Sequence, residues 1–467
     1  MLFIDRPSPL RSSRDGLPPT APLPGALQTL ACRVRPLPYL KWCRAHLGER
    51  FVVYPLDMPP LVFLCNSDDI RALFTAPADV LHPGAGAAVA APLFGERSFM
   101  LAEGDAHMAV RSAITPALHR QVVQDNAELV RAFVAESVRS WPEDVAFAAH
   151  RPLRALTLRV ILRTIFGEEG APHRALHRCL LEMLEVTSSL VLQEPRVRHL
   201  PGWHATWRRF VSRREQADRL IFALIGARRA HPGGRCLLDM LLAAPRVDGG
   251  VMSDHELRDQ LVSLIIAGHE TTASALAWTL QLLAHHPAVQ ERLAEEIAAA
   301  DGGQEYLMAT VQEVLRHSPV FLFAAPRAVA QPIEIGGWTY RPPVHLLGCT
   351  YLLHHDPGLY PEPEAFRPER FLGAPPRPRL WLPWGGGRRV CLGRHLAVQE
   401  ITMVLRAILA EHRVEPASRR VERPGWRSVM VAPGAGCRVV LRRLASPRPP
   451  SRADRATVGT AGLGGRG

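Results

Sequence analysis

At 467 residues, 47% of them hydrophobic and 21% charged, the chain is long enough to bury a sizeable core. No stretch reaches the roughly 20 consecutive apolar residues of a membrane-spanning helix, and the start, MLFIDRPSPLRSSRDGLPP, lacks the basic-then-apolar order of a signal peptide, so a cytoplasmic protein is expected. The formal charge of +12 is no nucleic-acid footprint: residues 1–35 (five Arg, two Asp) and 446–467 (four Arg, one Asp) each carry net +3, and the rest forms no basic block.

Residues 1–35, rich in Pro, Arg and Ser, predict an extended lead-in to a domain spanning 36–445. FVVYP and LVFLC, flanking Asp57-Met58-Pro59-Pro60, predict a two-strand hairpin. From about 67 to 315 the pattern is mainly helical. The longest helix is expected over 253–286, opened by the capping-box pair Ser253 and Glu256 and stopped by Pro287. Its middle is apolar nearly all round and should be buried, yet it holds Gly268, His269, Glu270, Thr271 and Thr272. Buried polar groups cost stability unless partnered, so function is expected there. Short strands are expected across 320–350, a helix over 394–412, further strands to about 443, and a disordered tail over 446–467.

Eight scattered cysteines show no CxxC pair and no zinc spacing, which makes buried free thiols the default. Cys391 departs from it. In WLPWGGGRRVCLGRHLA, 381–397, it sits just before a helix start, where the dipole and free N–H groups favour thiolate. Gly387 and Gly393 would let backbone approach a flat ligand or adopt positive φ. A thiolate so placed can hold haem iron axially.

Trp384-Gly385-x-Gly387-x-Arg389-x-Cys391-x-Gly393 resembles the haem-binding loop of the cytochrome P450 family, with Trp384 where that family usually has Phe. Other segments resemble the family's in the right order: Gly104–Arg111, with His107 and Arg111 at i, i+4; Ala267–Thr272; Glu313-Val314-Leu315-Arg316; Arg327; and Phe366–Phe371 with Arg370. The resemblance covers roughly residues 36–443. It implies a mainly α, single triangular domain with a small β-rich region, and haem b ligated by Cys391. His107, Arg111, Arg327 and Arg389 would hold the propionates. Glu313, Arg316 and Arg370 would lock the loop that carries Cys391. Thr271 would hydrogen-bond bound oxygen while Glu270 delivers protons.

The activity so implied is a monooxygenase that puts one atom of O2 into a hydrophobic small molecule. A monomer is expected, taking electrons from a ferredoxin or flavodoxin with its NAD(P)H-dependent reductase, and Arg388 and Arg394 would help form the docking face. Val320, Phe321, Leu322, Leu264 and Ile265 would line an apolar pocket or simply pack in the core. Two alternatives are separable by assay: a peroxide-driven peroxygenase, and a haem-binding sensor that consumes no NAD(P)H. Other motifs fail. His269-Glu270-x-x-Ala273 lacks the second histidine of a zinc protease, Gly462-x-Gly464-x-x-Gly467 ends the chain with no helix after it, and Gly385–Gly387 lacks the GK[ST] of a phosphate loop. His285-His286 and His354-His355 have no third ligand and read as ordinary packing or surface residues.

Overall fold

The structure, a computed structural model, describes residues 16–444 apart from 57, 168, 187–202, 235, 245–248 and 300–302; the tail expected over 446–467 lies outside them. In chain order the helices that position the site are α1 (Gly25–Val34), α2 (Pro36–Leu47), α3 (Ser67–Thr75), α4 (Gly104–Ile114), α5 (Ala127–Arg139), α6 (His150–Phe166), α7 (Ala171–Val186), α8 (Trp203–Ala230), α9 (Asp254–His285), α10 (Glu305–His317), α11 (Thr350–His354) and α12 (Arg394–Leu409). Strands β1 (Arg50–Val53), β2 (Leu61–Leu64), β3 (Leu81–His82), β5 (Arg327–Val329) and β8 (His345–Gly348) form one sheet in the order β1-β2-β8-β5-β3. Smaller sheets pair β6 (Ile333–Ile335) with β7 (Trp338–Tyr340), and β10 (Pro424–Arg427) with β11 (Met430–Pro433). A third places β12 (Arg438–Arg443) between β4 (Phe147–Ala148) and β9 (His412–Pro416). The fold is mainly α with a small β-rich side.

Helix α9 is the axis. Its 32 residues rise about 48 Å. Ser253 Oγ accepts the Glu256 N–H while the Glu256 side chain accepts the Ser253 N–H, closing the expected capping box. The helix packs along α6, and their closest crossing explains Gly268: a Cβ there would stand 2.8 Å from Ile161 Cδ1. Gly268 is thus a packing glycine, and α9 runs unbroken through it.

The extended reading of residues 1–35 is corrected over residues 16–35; residues 1–15 lie outside the described residues. Leu17 and Ala21 are buried, Thr20 bridges to Val52, and Gly25–Val34 is helical. Pro24 precedes that helix and no proline falls within it. Its buried Gln28 donates to Leu23 O at 2.9 Å and accepts from Tyr54 N–H at 3.0 Å, tying α1 to the hairpin.

Candidate active site

Between Leu257 and Ala284 every residue of α9 is buried except Ala267, Gly268 and Thr271. Positions i, i+1 and i+4 share a face, so a helix otherwise sealed in protein opens at one place. Thr271 Oγ donates to Ala267 O at 2.7 Å, as a mid-helix threonine commonly does. Thr272, one step round, is buried and donates to Gly268 O at 3.2 Å. Glu270 points elsewhere. Arg154 Nε of α6 donates to its Oε2 at 2.6 Å, and His150 Nε2 and His269 Nε2 lie 3.7 and 3.4 Å from the carboxylate. Thr271 and Glu270, adjacent in sequence, therefore face different surroundings. The His269 ring is fully buried with no hydrogen-bond partner for either nitrogen, and burial holds it neutral, down to about 3.

The Cys391 loop is folded against α3. Gly387 has φ +66°, and a Cβ there would meet Phe74 O at 2.4 Å, so backbone and chirality both demand glycine. Gly393 caps α12 with an ordinary negative φ and has nothing within 4 Å of a built Cβ, which leaves room beside the cysteine. The Cys391 N–H donates to Trp384 O at 2.9 Å. Burial pushes the Cys391 thiol up; the N–H groups of Gly393 and Arg394 and the charges of Arg394 and Arg111 pull it down without overcoming that burial. The helix start thus acts in the expected direction but does not by itself produce a thiolate. A cation bound at sulfur would, since a coordinating thiol loses its proton outright.

Around this loop three cations converge. Arg389 Nη1 donates to Met100 O at 2.9 Å, and its Nη2 pairs with Glu103 at 3.2 Å. Arg111 Nη2 donates to Val390 O at 2.7 Å, and Arg327 Nη1 to Leu73 O at 2.6 Å. Among the described residues neither Arg111 nor Arg327 has a carboxylate partner, although Arg327 is buried and desolvation, with Arg389 nearby, draws it down to about 10. His107, also buried, donates Nδ1–H to Phe99 O at 2.8 Å and leaves Nε2 without a partner. Burial, with Arg389 and Arg111, lowers it to about 4. His107, Arg327 and Arg389 line one cavity with Phe74, Met108 and Arg388; Arg111 stands nearer Cys391. Unpaired guanidinium in a buried place is costly unless an anion completes it. The segment that ends here is tied to α9, because Gln260 Oε1 accepts the Phe99 N–H at 2.7 Å and Ser98 Oγ meets Ser263 Oγ at 2.6 Å. Orphaned donors, an open helix face and a cleared cysteine fit a flat, dianionic, iron-bearing ligand such as haem.

Glu313 and Arg316 of α10 are fully buried and joined by two bonds, Nε to Oε2 at 2.7 Å and Nη2 to Oε1 at 2.9 Å. Arg370 Nε donates to Glu313 Oε1 at 3.3 Å, and the Arg367 N–H to the same oxygen at 2.8 Å. Arg316 Nη1 reaches on to His354 O at 2.8 Å and Pro363 O at 2.9 Å.

The sequence that makes these contacts matches a known family. A protein-family model described as Cytochrome P450 matches residues 16–435. The chain belongs to the cytochrome P450 family. It is therefore an oxidoreductase of the monooxygenase kind, and the family binds haem iron through a cysteine thiolate. A relative named putative cytochrome P450 135B1, from Mycobacterium bovis and Mycobacterium tuberculosis, is 34% identical over 465 residues, covering 97% of this chain and 96% of its own. Putative cytochrome P450 137 of Mycobacterium tuberculosis is 34% identical over 391 residues, 83% of this chain and 82% of its own. Among solved structures, CYP175A1 from Thermus thermophillus superposes with TM-score 0.73 at 26% identity, covering 91% of this chain and 99% of that one. A retinoic acid bound cyanobacterial CYP120A1 shares the fold with TM-score 0.80 at 24% identity, covering 92% and 99%. No helix among the described residues is long and apolar enough to cross a membrane.

Sequence reasoning missed several parts of this P450 site. Arg154 lies 116 positions from Glu270, with no local signal linking them. His354, read as an ordinary residue, is buried; its carbonyl takes the Arg316 bond, and its Nε2 accepts the Leu382 N–H at 2.8 Å. Of the apolar candidates, Ile265 and Leu322 pack in the core, Leu264 and Val320 are nearly as buried, and Phe321 stays 39% exposed. Strand β11 lies beside them, its Val431 donating N–H to Val320 O at 2.9 Å and accepting from Trp278 Nε1 at 3.1 Å.

Proposed function

We propose that this P450 inserts one atom of dioxygen into a hydrophobic small molecule at haem b held by Cys391. Haem iron bound through thiolate supplies oxygen activation; the chain's own residues bind, orient and deliver protons. Arg111, Arg327 and Arg389 neutralise the carboxylates of the bound group, and His107 Nε2 becomes a donor to one of them once the ring takes up a proton. The observation that carries the reading is Arg327, a buried guanidinium with no carboxylate partner among the described residues, sharing a cavity with Arg389 and with the unpartnered Nε2 of buried His107. Thr271 on that face orders water next to the reaction space, and Glu270 exchanges protons from the Arg154 side. Glu313, Arg316 and Arg370 fix the loop that carries the sulfur.

Electrons come from a separate ferredoxin or flavodoxin and its NAD(P)H-dependent reductase. Exposed Arg388 and Arg394 flank the loop and offer positive charge to an acidic donor. The test is spectroscopic and catalytic. The reduced protein with carbon monoxide should show the red-shifted Soret band of thiolate ligation, and Cys391→His should lose it. With surrogate redox partners, NAD(P)H consumption should require oxygen and yield an oxygenated lipophile. Retention of the band in Cys391→His would sink the assignment, and turnover with hydrogen peroxide but not with an electron chain would make the protein a peroxygenase.

A further inference from the structure

The small core between α2 and the five-stranded sheet holds a cluster of thiols unrelated to the haem site. Cys43, Cys65 and Cys349 are fully buried in it, and Cys32 of α1 packs against it. Strands β2 and β8 pair in parallel from Leu61↔His345 to Leu64↔Gly348, and the Cys349 N–H donates to Leu64 O at 2.8 Å. Cys65 and Cys349 are the next residues in that register. Alternation fixes which way they face: Val62, Leu64 and Leu346 enter one core, while Phe63, Cys65, Leu347 and Cys349 enter the other. The two side chains thus share a face on neighbouring strands, in one buried core, with Cys349 Sγ 3.6 Å from Leu322 O. Neighbouring strands run about 4.7–4.9 Å apart, inside the roughly 4.4–6.8 Å between Cα atoms that a disulfide requires.

We propose that Cys65 and Cys349 form a dithiol site that hydrogen peroxide oxidises to a disulfide stapling β2 to β8. One sulfur attacks a peroxide oxygen, the O–O bond breaks, and water leaves a sulfenic acid. The second sulfur then attacks the first; the S–S bond forms, the S–O bond breaks, and the departing hydroxide takes the second thiol's proton as water. Two thiols lose two electrons, and one peroxide becomes two waters.

The other cysteines are engaged differently. Cys179 donates to Arg213 O at 3.2 Å, and Cys236 to Asp239 Oδ2 at 2.9 Å. Among the described residues no group of three or more His, Cys, Asp and Glu could hold a metal ion. Burial pushes the Cys65 thiol well above its ordinary range, with the Arg44 charge offsetting part of that, so the pair resists trace oxidant. Cys349 leads directly into α11, whose His354 carbonyl holds Arg316. The staple therefore stiffens the segment beneath the Glu313–Arg316 pair.

The test uses the full-length, haem-loaded protein exposed to graded hydrogen peroxide, then unfolded in N-ethylmaleimide and mapped by mass. The expected result is a peptide pair joining Cys65 to Cys349, lighter by two hydrogens, free of maleimide and restored by dithiothreitol. In Cys65→Ser the pair is lost and Cys349 becomes reactive to a sulfenic-acid probe; Cys349→Ser gives the mirror result. If both cysteines still take maleimide at peroxide levels that already oxidise half-buried Cys32, or if Cys65 joins Cys43 instead, the proposal is wrong.

Discussion

Arg154 Nε donates to Glu270 Oε2 at 2.6 Å, with both side chains nearly buried at 14% and 11% exposure. A carboxylate at the centre of the longest helix is therefore not free beside Thr271; α6 holds it. Removing one partner of a buried pair strands the other, at about 3–5 kcal/mol. Arg154→Ala should lose stability toward the lower end of that range. Arg154→Ala combined with Glu270→Gln should recover part of the loss, giving a coupling of about 1–3 kcal/mol in urea unfolding. Strict additivity of the two single losses would show that the pair contributes nothing.

Glu313 accepts two bonds from Arg316 and one each from Arg370 and the Arg367 backbone, and deleting its carboxylate breaks all four in a buried site. Glu313→Ala should lose about 3–5 kcal/mol and yield little soluble, haem-loaded protein. Normal haem content with only turnover impaired would contradict a structural role.

Acid should unfold this protein early. Burial draws His150 and His317 down to about 4, and His269 and His354 down to about 3. Free histidine titrates near about 6.5, so between about pH 6.5 and 4 the unfolded chain binds protons that the folded chain refuses. Stability is complete above that window and falls as pH drops through it, by up to about 1.4 kcal/mol per pH unit for each such site. Thermal midpoints measured from pH 7.5 to 5 should decline steadily, and His269→Met should flatten the slope. A midpoint independent of pH over that span would refute the argument.

Thr271 and Thr272 should separate cleanly, because only the first lies on the open face of α9. With a surrogate redox chain, Thr271→Ala should still consume NAD(P)H but divert more of it to hydrogen peroxide and less to product. Thr272→Ala should stay close to wild type in coupling. The reverse pattern would mean that the helix presents a different face to the reaction space.

What could be read from the chain was mostly local. The Ser253–Glu256 cap, the stop at Pro287 and the i, i+3 spacing of Glu313 and Arg316 are each encoded within a few residues, and the structure has all three geometries. Helix α1 was masked by the prolines around it, since composition weighs a window whereas Pro24 only sets where the helix begins. Arg154 with Glu270, and Val431 with Val320, join residues more than a hundred positions apart, and only the packing of α9 against α6 and β11 brings them together. Gly268 was legible as unusual but not as the contact point for Ile161.

The three-residue opening of α9 also sets how this helix can change over time. Along most of its length a new side chain meets packed neighbours on every side, so variation there is judged by whether the protein survives. At Gly268 even a methyl collides with Ile161, while Ala267 and Thr271 are not buried by the protein's own packing. A saturation library across Asp254–His285 should therefore yield stable variants with altered product profiles chiefly from position 267, a site through which a lineage can explore new substrates without renegotiating its fold.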